Sequence, residues 1–250
     1  MYKLYVIPAS HACRSAMLML EHKGLPYRCV DIVPLTHPFV ARLHGFDAGS
    51  QKRTAGDRRS VAIRFGDRLG TVPGLAAGDE RISTNHAIAR FLEDRHPEPP
   101  LFPDDPARRE AVEEVERWGN DEFQMAARRI GLAWAAREPA QASRSVADGR
   151  MGPVLYRHQL TRRLMIPLIG RLVFNAGPGL VEELLAGLPQ MLDRIDAWIA
   201  DGVLGGEQLN AADFMVAPSL ALILYRPDVM HLFEGRPALE LVDRLLPEPA

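Results

Sequence analysis

Two cysteines in 250 residues, Cys13 and Cys29, are too few for a fold held together by disulfides. Charge of one sign is also missing. Thirty basic residues face thirty-two acidic ones, leaving a formal charge of −2, so no dominant field argues for nucleic acid or an anionic membrane as a partner. Long apolar runs are lacking too: the most apolar window, Leu164 to Phe174, is about half a bilayer span and contains Arg171. The N-terminus has no signal-peptide pattern, which makes the cytoplasm the expected location. The eight histidines are scattered, and no His or Cys spacing matches a metal site, so no metal is expected. What remains is 47% apolar content, enough for a real core in one large or two smaller domains.

The organising stretch is Lys3 to Leu20, KLYVIPASHACRSAMLML. Lys3 to Ile7 has the aromatic and β-branched content of a short buried strand, and Pro8 ends it. Ser10 stands where a helix N-cap belongs. Cys13, Ala16, Met17 and Leu20 then recur at helical spacing, and Gly24 with Pro26 stops the helix. Free N–H groups at that helix start favour negative charge, and a hydroxyl there can lower the pKa of a bound thiolate. Ser10 is therefore either a plain cap or a thiolate donor.

Tyr27 to Val33 reads as a second strand, parallel to the first through a right-handed crossover. His37 to His44 reads as a short helix and Gly45 to Gly70, rich in Gly, Ser, Arg and Asp, as a long surface loop. The proline of Val72-Pro73 marks a special backbone position at the start of a strand. Gly74 to Ala77 and Glu80 to Ser83 form a hairpin about Gly78-Asp79, and Thr84 to Glu93 a helix burying Ala87, Ile88, Phe91 and Leu92.

His96 to Pro106 holds five prolines in eleven residues and separates the halves of the chain. Beyond it, Ala107 to Arg137 is one amphipathic run with Val112, Val115, Trp118 and Phe123 in phase, Glu113, Glu114 and Glu116 solvated, and Gly119 as a bend. Pro139 to Pro153 reads as a polar connection, Val154 to Val173 as a helix kinked by Pro167, and Leu180 to Ala200 as a further helix. Asn210-Ala211-Ala212-Asp213 has the spacing of a capping box, and it opens a helix through Met215, Ala217, Leu220 and Leu224.

The order strand, helix, strand, short helix, Pro-started hairpin, helix resembles the thioredoxin-fold domain of the cytosolic glutathione transferases. The turn SHACRSA resembles the serine signature of their theta and delta classes. The resemblance implies an α/β thioredoxin-like domain at residues 1–95, a linker at 96–106 and an all-helical domain at 107–250. It implies glutathione as co-substrate, with Ser10 against its sulfur, Pro73 in the cis form, and the backbone of Val72 pairing with its cysteinyl part as an added strand does. Thr84-Asn85 stands where the family carries Glu-Ser, so Asn85 and the helix N-terminus are expected to hold the γ-glutamyl carboxylate while the acidic partner of its amine is missing. One such charge-assisted contact is worth about 1.5–3 kcal/mol. A homodimer is expected on the same resemblance.

The second substrate, a small-molecule electrophile, is expected between the Ser10 turn and the long helix after the linker, with His11, Trp118 and Asp121 as candidate contacts. Asn120, Phe123 and Gln124 belong to the same search, and Trp118 and Phe123 also suit a core. Cys13 shares an apolar face with Met17 and Leu20 and reads as packing, while a monothiol reaction there stays open. The rival to a glutathione-dependent enzyme is a non-catalytic binding or interaction protein of the same fold that has lost the glutathione site.

Overall fold

The computed structural model describes residues 1–7, 9–33, 36–47, 70–146, 149–151, 170–171, 174 and 176–247. Its N-terminal part is a mixed sheet of β1 (Tyr2–Val6), β2 (Tyr27–Asp31), β3 (Gly74–Ala77) and β4 (Glu80–Ser83), in the order β2-β1-β3-β4. Strand β1 runs parallel to β2 and antiparallel to β3, and β3 pairs antiparallel with β4. The helices α1 (His11–His22), α2 (His37–Leu43) and α3 (Asn85–Arg95) complete this unit. The expected strand, helix and hairpin pattern of a thioredoxin-like domain is what forms.

One face of the sheet joins the large core through Leu4, Val6 and Leu75. The other covers a small cluster of Tyr5, Ile32, Ala41, Phe46 and Ala76. Phe46 lies inside the span read as a surface loop, yet it is fully buried, with its ring 5.0 Å from that of Tyr5. It occupies the space left by Gly74, where an added Cβ would meet the Phe46 ring at 2.8 Å. Most of the rest of that span lies outside the described residues. On α3 the buried set is Asn85, Ile88, Ala89 and Leu92, so Ala89 takes the place expected for Ala87.

The Pro-rich segment is pinned at both ends. Lys23 is buried and donates to the Glu93 carboxylate (2.7 Å) and to the carbonyls of His96 (2.6 Å) and Pro97 (3.2 Å). Glu93 in turn accepts from the N–H groups of Leu101 and Phe102, whose side chains are buried. The carboxylate satisfies donors that the prolines around them cannot pair.

The helical part comprises α4 (Pro106–Trp118), a π-helical turn (Gly119–Phe123), α5 (Gln124–Arg137), α6 (Pro139–Val146), α7 (Pro178–Ala186), α8 (Leu188–Ala200), α9 (Ala211–Leu224), a 3-10 turn (Pro227–Leu232) and α10 (Pro237–Leu245). Three expectations change here. The bend at Gly119 is a π turn, and a Cβ on Gly119 would stand 2.8 Å from Met215 Cγ, so glycine lets α9 approach at that point. Pro139 to Val146 is helical rather than a polar connection. The run from Leu180 to Ala200 is two helices, parted at Gly187 with Pro189 in the first turn of the second. The helix expected over Val154 to Val173 falls largely outside the described residues.

Helix α9 is the centre of the core. Asn210 Oδ1 accepts from Ala212 N–H (2.9 Å) and Asp213 Oδ2 from Asn210 N–H (2.9 Å), so the capping box forms as its spacing predicts. Asp213 also accepts from Gly205 N–H (2.7 Å). Helices α1, α4, α5 and α10 all pack on α9, and one continuous cluster runs from Leu4 and Cys13 through Phe123 and Ile130 to Leu246.

Glu116 is the largest departure on α4. Expected in solvent, it is fully buried, and its carboxylate pairs with Arg90 (2.6 and 2.7 Å) and His86 (3.3 Å) of α3. Arg90 also covers the Phe102 ring at 4.2 Å and keeps 28% of its side chain exposed. The two partners are thus unequal. Arg90→Ala leaves a buried carboxylate without its cation and should cost about 3–5 kcal/mol. Glu116→Gln leaves a guanidinium that reaches water and Glu113 (3.6 Å), and should cost about 1–2 kcal/mol. Urea unfolding of the two variants tests this order, and equal losses would refute it.

Candidate active site

Antiparallel pairing carries three loop segments to one end of the sheet. Tyr5 stands opposite Gly74, so the turn after β1 and the Val72-Pro73 step before β3 are neighbours. Gly74 stands opposite Ser83, so the start of α3 joins them, and Thr84 N–H donates to the Pro73 carbonyl at 3.3 Å. The Val72-Pro73 peptide is cis. Among the described residues, the two non-glycine residues with left-handed φ are Ala9 (+59°) and Thr84 (+79°), and both lie in these segments. Such backbone costs on the order of 1–3 kcal/mol per residue and persists only where surrounding contacts impose it.

Ser10 caps α1 with extended backbone, φ −86° and ψ 118°. Its Oγ accepts from Cys13 N–H at 3.4 Å, a long bond, and the hydroxyl proton is still available to a ligand at this half-buried position. Cys13, by contrast, is fully buried, and Ile7 N–H donates to its sulfur at 3.4 Å. Burial pushes its thiol up to about 11, against a weaker opposing hydrogen bond from the Ser10 side. Cys13 is a packed, protonated thiol, and the monothiol reading loses its nucleophile.

Thr84 Oγ1 caps α3 by accepting from Ala87 N–H at 3.3 Å. Asn85 corrects an expectation. Its side chain is buried, and Nδ2 donates to the Ala12 carbonyl at 2.9 Å, tying the start of α3 to the start of α1. Its Oδ1 is buried with no hydrogen-bond partner among the described residues. A carboxylate at this helix start would therefore meet backbone N–H groups of the first turn rather than the Asn85 amide.

Helix α5 forms the facing wall. His11 is 3% exposed and its Nε2 lies 3.1 Å from the Gln124 carbonyl, which can only accept, so Nε2 carries the proton. The Gln124 side chain is also buried, with Nε2 3.8 Å from Met215 Sδ and Oε1 3.4 Å from Arg128 Nη2. Arg128 lies over the Phe174 ring at 5.0 Å. Burial, with the Arg128 charge adding to it, pushes His11 down to about 3, and the same two causes push His37 down to about 4.

No family model matches the sequence. Glutathione S-transferase Z2 of Arabidopsis thaliana is 30% identical over 103 residues, 41% of this chain and 38% of that protein. The chain thus spans well under half the length of the curated relatives it matches. Among solved structures, glutathione transferase GSTFuA3 of Phanerochaete chrysosporium superposes with a TM-score of 0.64, at 18% identity over 98% of this chain and 95% of that one. A glutathione S-transferase of Ceriporiopsis subvermispora, solved in complex with glutathione, gives 0.60 at 14% identity, covering 98% and 96%. The fold is that of the cytosolic glutathione transferases. The likeness of fold runs over nearly the whole length of the chain.

Within this glutathione transferase fold, Ser10, Val72, Pro73 and Thr84 converge, and His11 joins them as a buried contact to α5 rather than as an open cleft wall. Trp118 does not join them. Its ring stacks on Phe123 (4.9 Å, 12° between planes) and meets Trp198 edge-on, so it is a core residue and leaves the set of cleft contacts. Asp121 is half-buried on the π turn and accepts from Asn120 Nδ2 at 2.8 Å. Arg128 and His37 are absent from the candidates that the sequence suggests. Arg128 lies one turn beyond the candidate Gln124, and nothing else in the sequence singles it out. Among the described residues no group of His, Cys, Asp and Glu is placed to hold a metal ion.

The folded chain keeps His11 and His37 neutral where the unfolded chain protonates them, near pH 6.5. Their contribution to stability is present above that pH and is lost as pH falls from about 6.5 toward 4. His11→Gln retains a donor for the Gln124 carbonyl and removes one titrating group. It is expected to lower proton uptake on unfolding at about pH 5 by about one proton, read from the pH dependence of the urea midpoint. An unchanged slope would show that His11 is not held neutral.

Proposed function

We propose that the protein is a glutathione-dependent transferase in which Ser10 stabilises the glutathione thiolate for attack on an electrophilic small molecule between the Ser10 turn and α5. The observation that carries this reading is the meeting of the Ser10 cap, the cis Val72-Pro73 step and the Thr84 cap at one end of the sheet. The names of the relatives and the glutathione complex of one structural neighbour support the choice of co-substrate.

In this reading the backbone of Val72, half-buried two residues before β3, pairs with the cysteinyl part of glutathione as one added strand residue. The first turn of α3, at Thr84-Asn85, receives the γ-glutamyl carboxylate through its N–H groups. The thiol gives its proton to solvent, and the Ser10 hydroxyl donates to the resulting thiolate. The sulfur electron pair forms the S–C bond while the leaving group departs with the pair from the bond that breaks. The protein supplies a lowered thiol pKa and proximity. Domain limits at 1–95 and 107–250, a homodimer and a cytoplasmic location belong to the same proposal. Among the described residues no helix is long and apolar enough to cross a membrane.

A second reading, a binding protein of this fold without glutathione chemistry, is favoured by one observation. The amide of Asn85 is committed to Ala12, and Thr84 supplies no charge for the ligand amine.

Calorimetric titration with glutathione at neutral pH separates the two. The transferase reading expects saturable binding in the micromolar to low-millimolar range. It also expects Ser10→Ala to raise the pKa of the bound thiol by about one to two units, the worth of one charge-assisted hydrogen bond. Loss of the long cap bond should lower stability by only about 0.5–1 kcal/mol. Absence of heat and of any melting shift at high glutathione would leave the binding-protein reading.

A further inference from the structure

We propose that Asn85 is a positioning residue for Ser10, acting through the Ala12–Cys13 peptide to make the Ser10 hydroxyl a stronger hydrogen-bond donor. That this hydroxyl serves a thiolate rests on the glutathione reading above.

One peptide unit makes the connection. Asn85 Nδ2 donates to the Ala12 carbonyl at 2.9 Å, and the N–H of the same peptide, that of Cys13, donates to Ser10 Oγ at 3.4 Å. A carbonyl oxygen has two lone pairs, so Ala12 can serve its helix and Asn85 at once. A donor on that carbonyl draws electron density from the peptide nitrogen and strengthens the Cys13 N–H as a donor. The N–H in turn draws density from Ser10 Oγ, and the O–H beyond it becomes the better donor. Hydrogen bonds in such a chain reinforce one another by roughly 10–30% each. Asn85, Ala12 and Cys13 are all buried, so water does not screen the relay.

Stability alone does not account for Asn85. Its Oδ1 is buried with no hydrogen-bond partner among the described residues, and a buried unpaired acceptor costs more than one neutral hydrogen bond returns on average. An apolar side chain at this position would carry no such orphan. What the amide supplies is a donor to Ala12, and the start of α3 is where a side chain reaches the first turn of α1. A residue that costs the fold and touches the peptide next to Ser10 is better explained by what it does to Ser10.

Nuclear magnetic resonance on the free full chain tests the first link, and thiol ionisation tests the second. In Asn85→Ala, and in Asn85→Leu, which keeps the branching, the Ala12 carbonyl carbon and the Cys13 amide proton should both move upfield. With glutathione bound, thiolate absorbance against pH, taken as a difference from the S-methylglutathione complex, should show the thiol's acid dissociation constant lowered about twofold to fourfold in either variant. Asn85→Ala should add nothing to the thiol pKa once Ser10 is replaced by alanine. Unmoved Ala12 and Cys13 resonances in a folded variant overturn the proposal. So does an unchanged thiol pKa, with or without weaker glutathione binding, or a rise that persists in the Ser10→Ala background. If the unaltered protein binds no glutathione, the transferase reading falls and the free chain decides the relay alone. The relay then stands if Ser10→Ala and Asn85→Ala move the Cys13 amide proton non-additively, and it falls if the two shifts simply add.

Discussion

From Ala211 to Ala221 every residue of α9 is buried, so this helix presents no face to water and must be enclosed. Helix α1 comes to it from one side and α4, the π turn and α5 from another. A helix apolar all round folds only as the centre of something larger, and its start is set by polar groups that cannot reach solvent. The reciprocal bonds of Asn210 and Asp213 satisfy N–H groups that would otherwise be buried orphans, each costing about 1–3 kcal/mol. Burial pushes the Asp213 carboxyl up to about 6, against the pull of the Gly205 and Asn210 N–H groups, which shows how dry this corner is.

Enclosure of α9 also dictates the site. Because α1 and α5 both pack on the same helix, the Ser10 turn and Gln124 are held at a fixed separation, and the His11 contact to the Gln124 carbonyl spans it. Positive φ at Ala9 and Thr84 persists only where neighbouring contacts impose it. Here Thr84 is held by its cap and its N–H bond to Pro73, and Asn85 by its bond to Ala12. The strain is local, and the contacts that maintain it come from Pro73 before β3, the first turn of α3 and the start of α1.

Much of this architecture is legible in the amino-acid sequence because it depends on local chemistry. The capping box, the hairpin about Gly78-Asp79, the N-cap at Ser10 and the special status of Val72-Pro73 each follow from residue type and spacing. What is not legible depends on a partner far away in the chain. Periodicity assigns Glu116 to water because it is charged, and Arg90 and His86 on another helix make its burial tolerable. Leu101 and Phe102 are hidden among prolines, whose missing donors suggest a loose linker until Glu93 and Lys23 are seen to hold it. Trp118 illustrates the converse: an aromatic at helical spacing fits a cleft and a core equally well, and Trp198 and Phe123 decide for the core.

These non-local contacts give the cleft a definite electrical character. Where an acidic residue would meet an ammonium group there is Thr84, and the neighbouring amide of Asn85 is spent on Ala12. On the opposite wall stands a guanidinium, and the two histidines near it are kept neutral by burial and by that same charge. A buried imidazole under the influence of a guanidinium is penalised twice for taking up a proton, by desolvation and by like-charge repulsion, so both rings stay neutral.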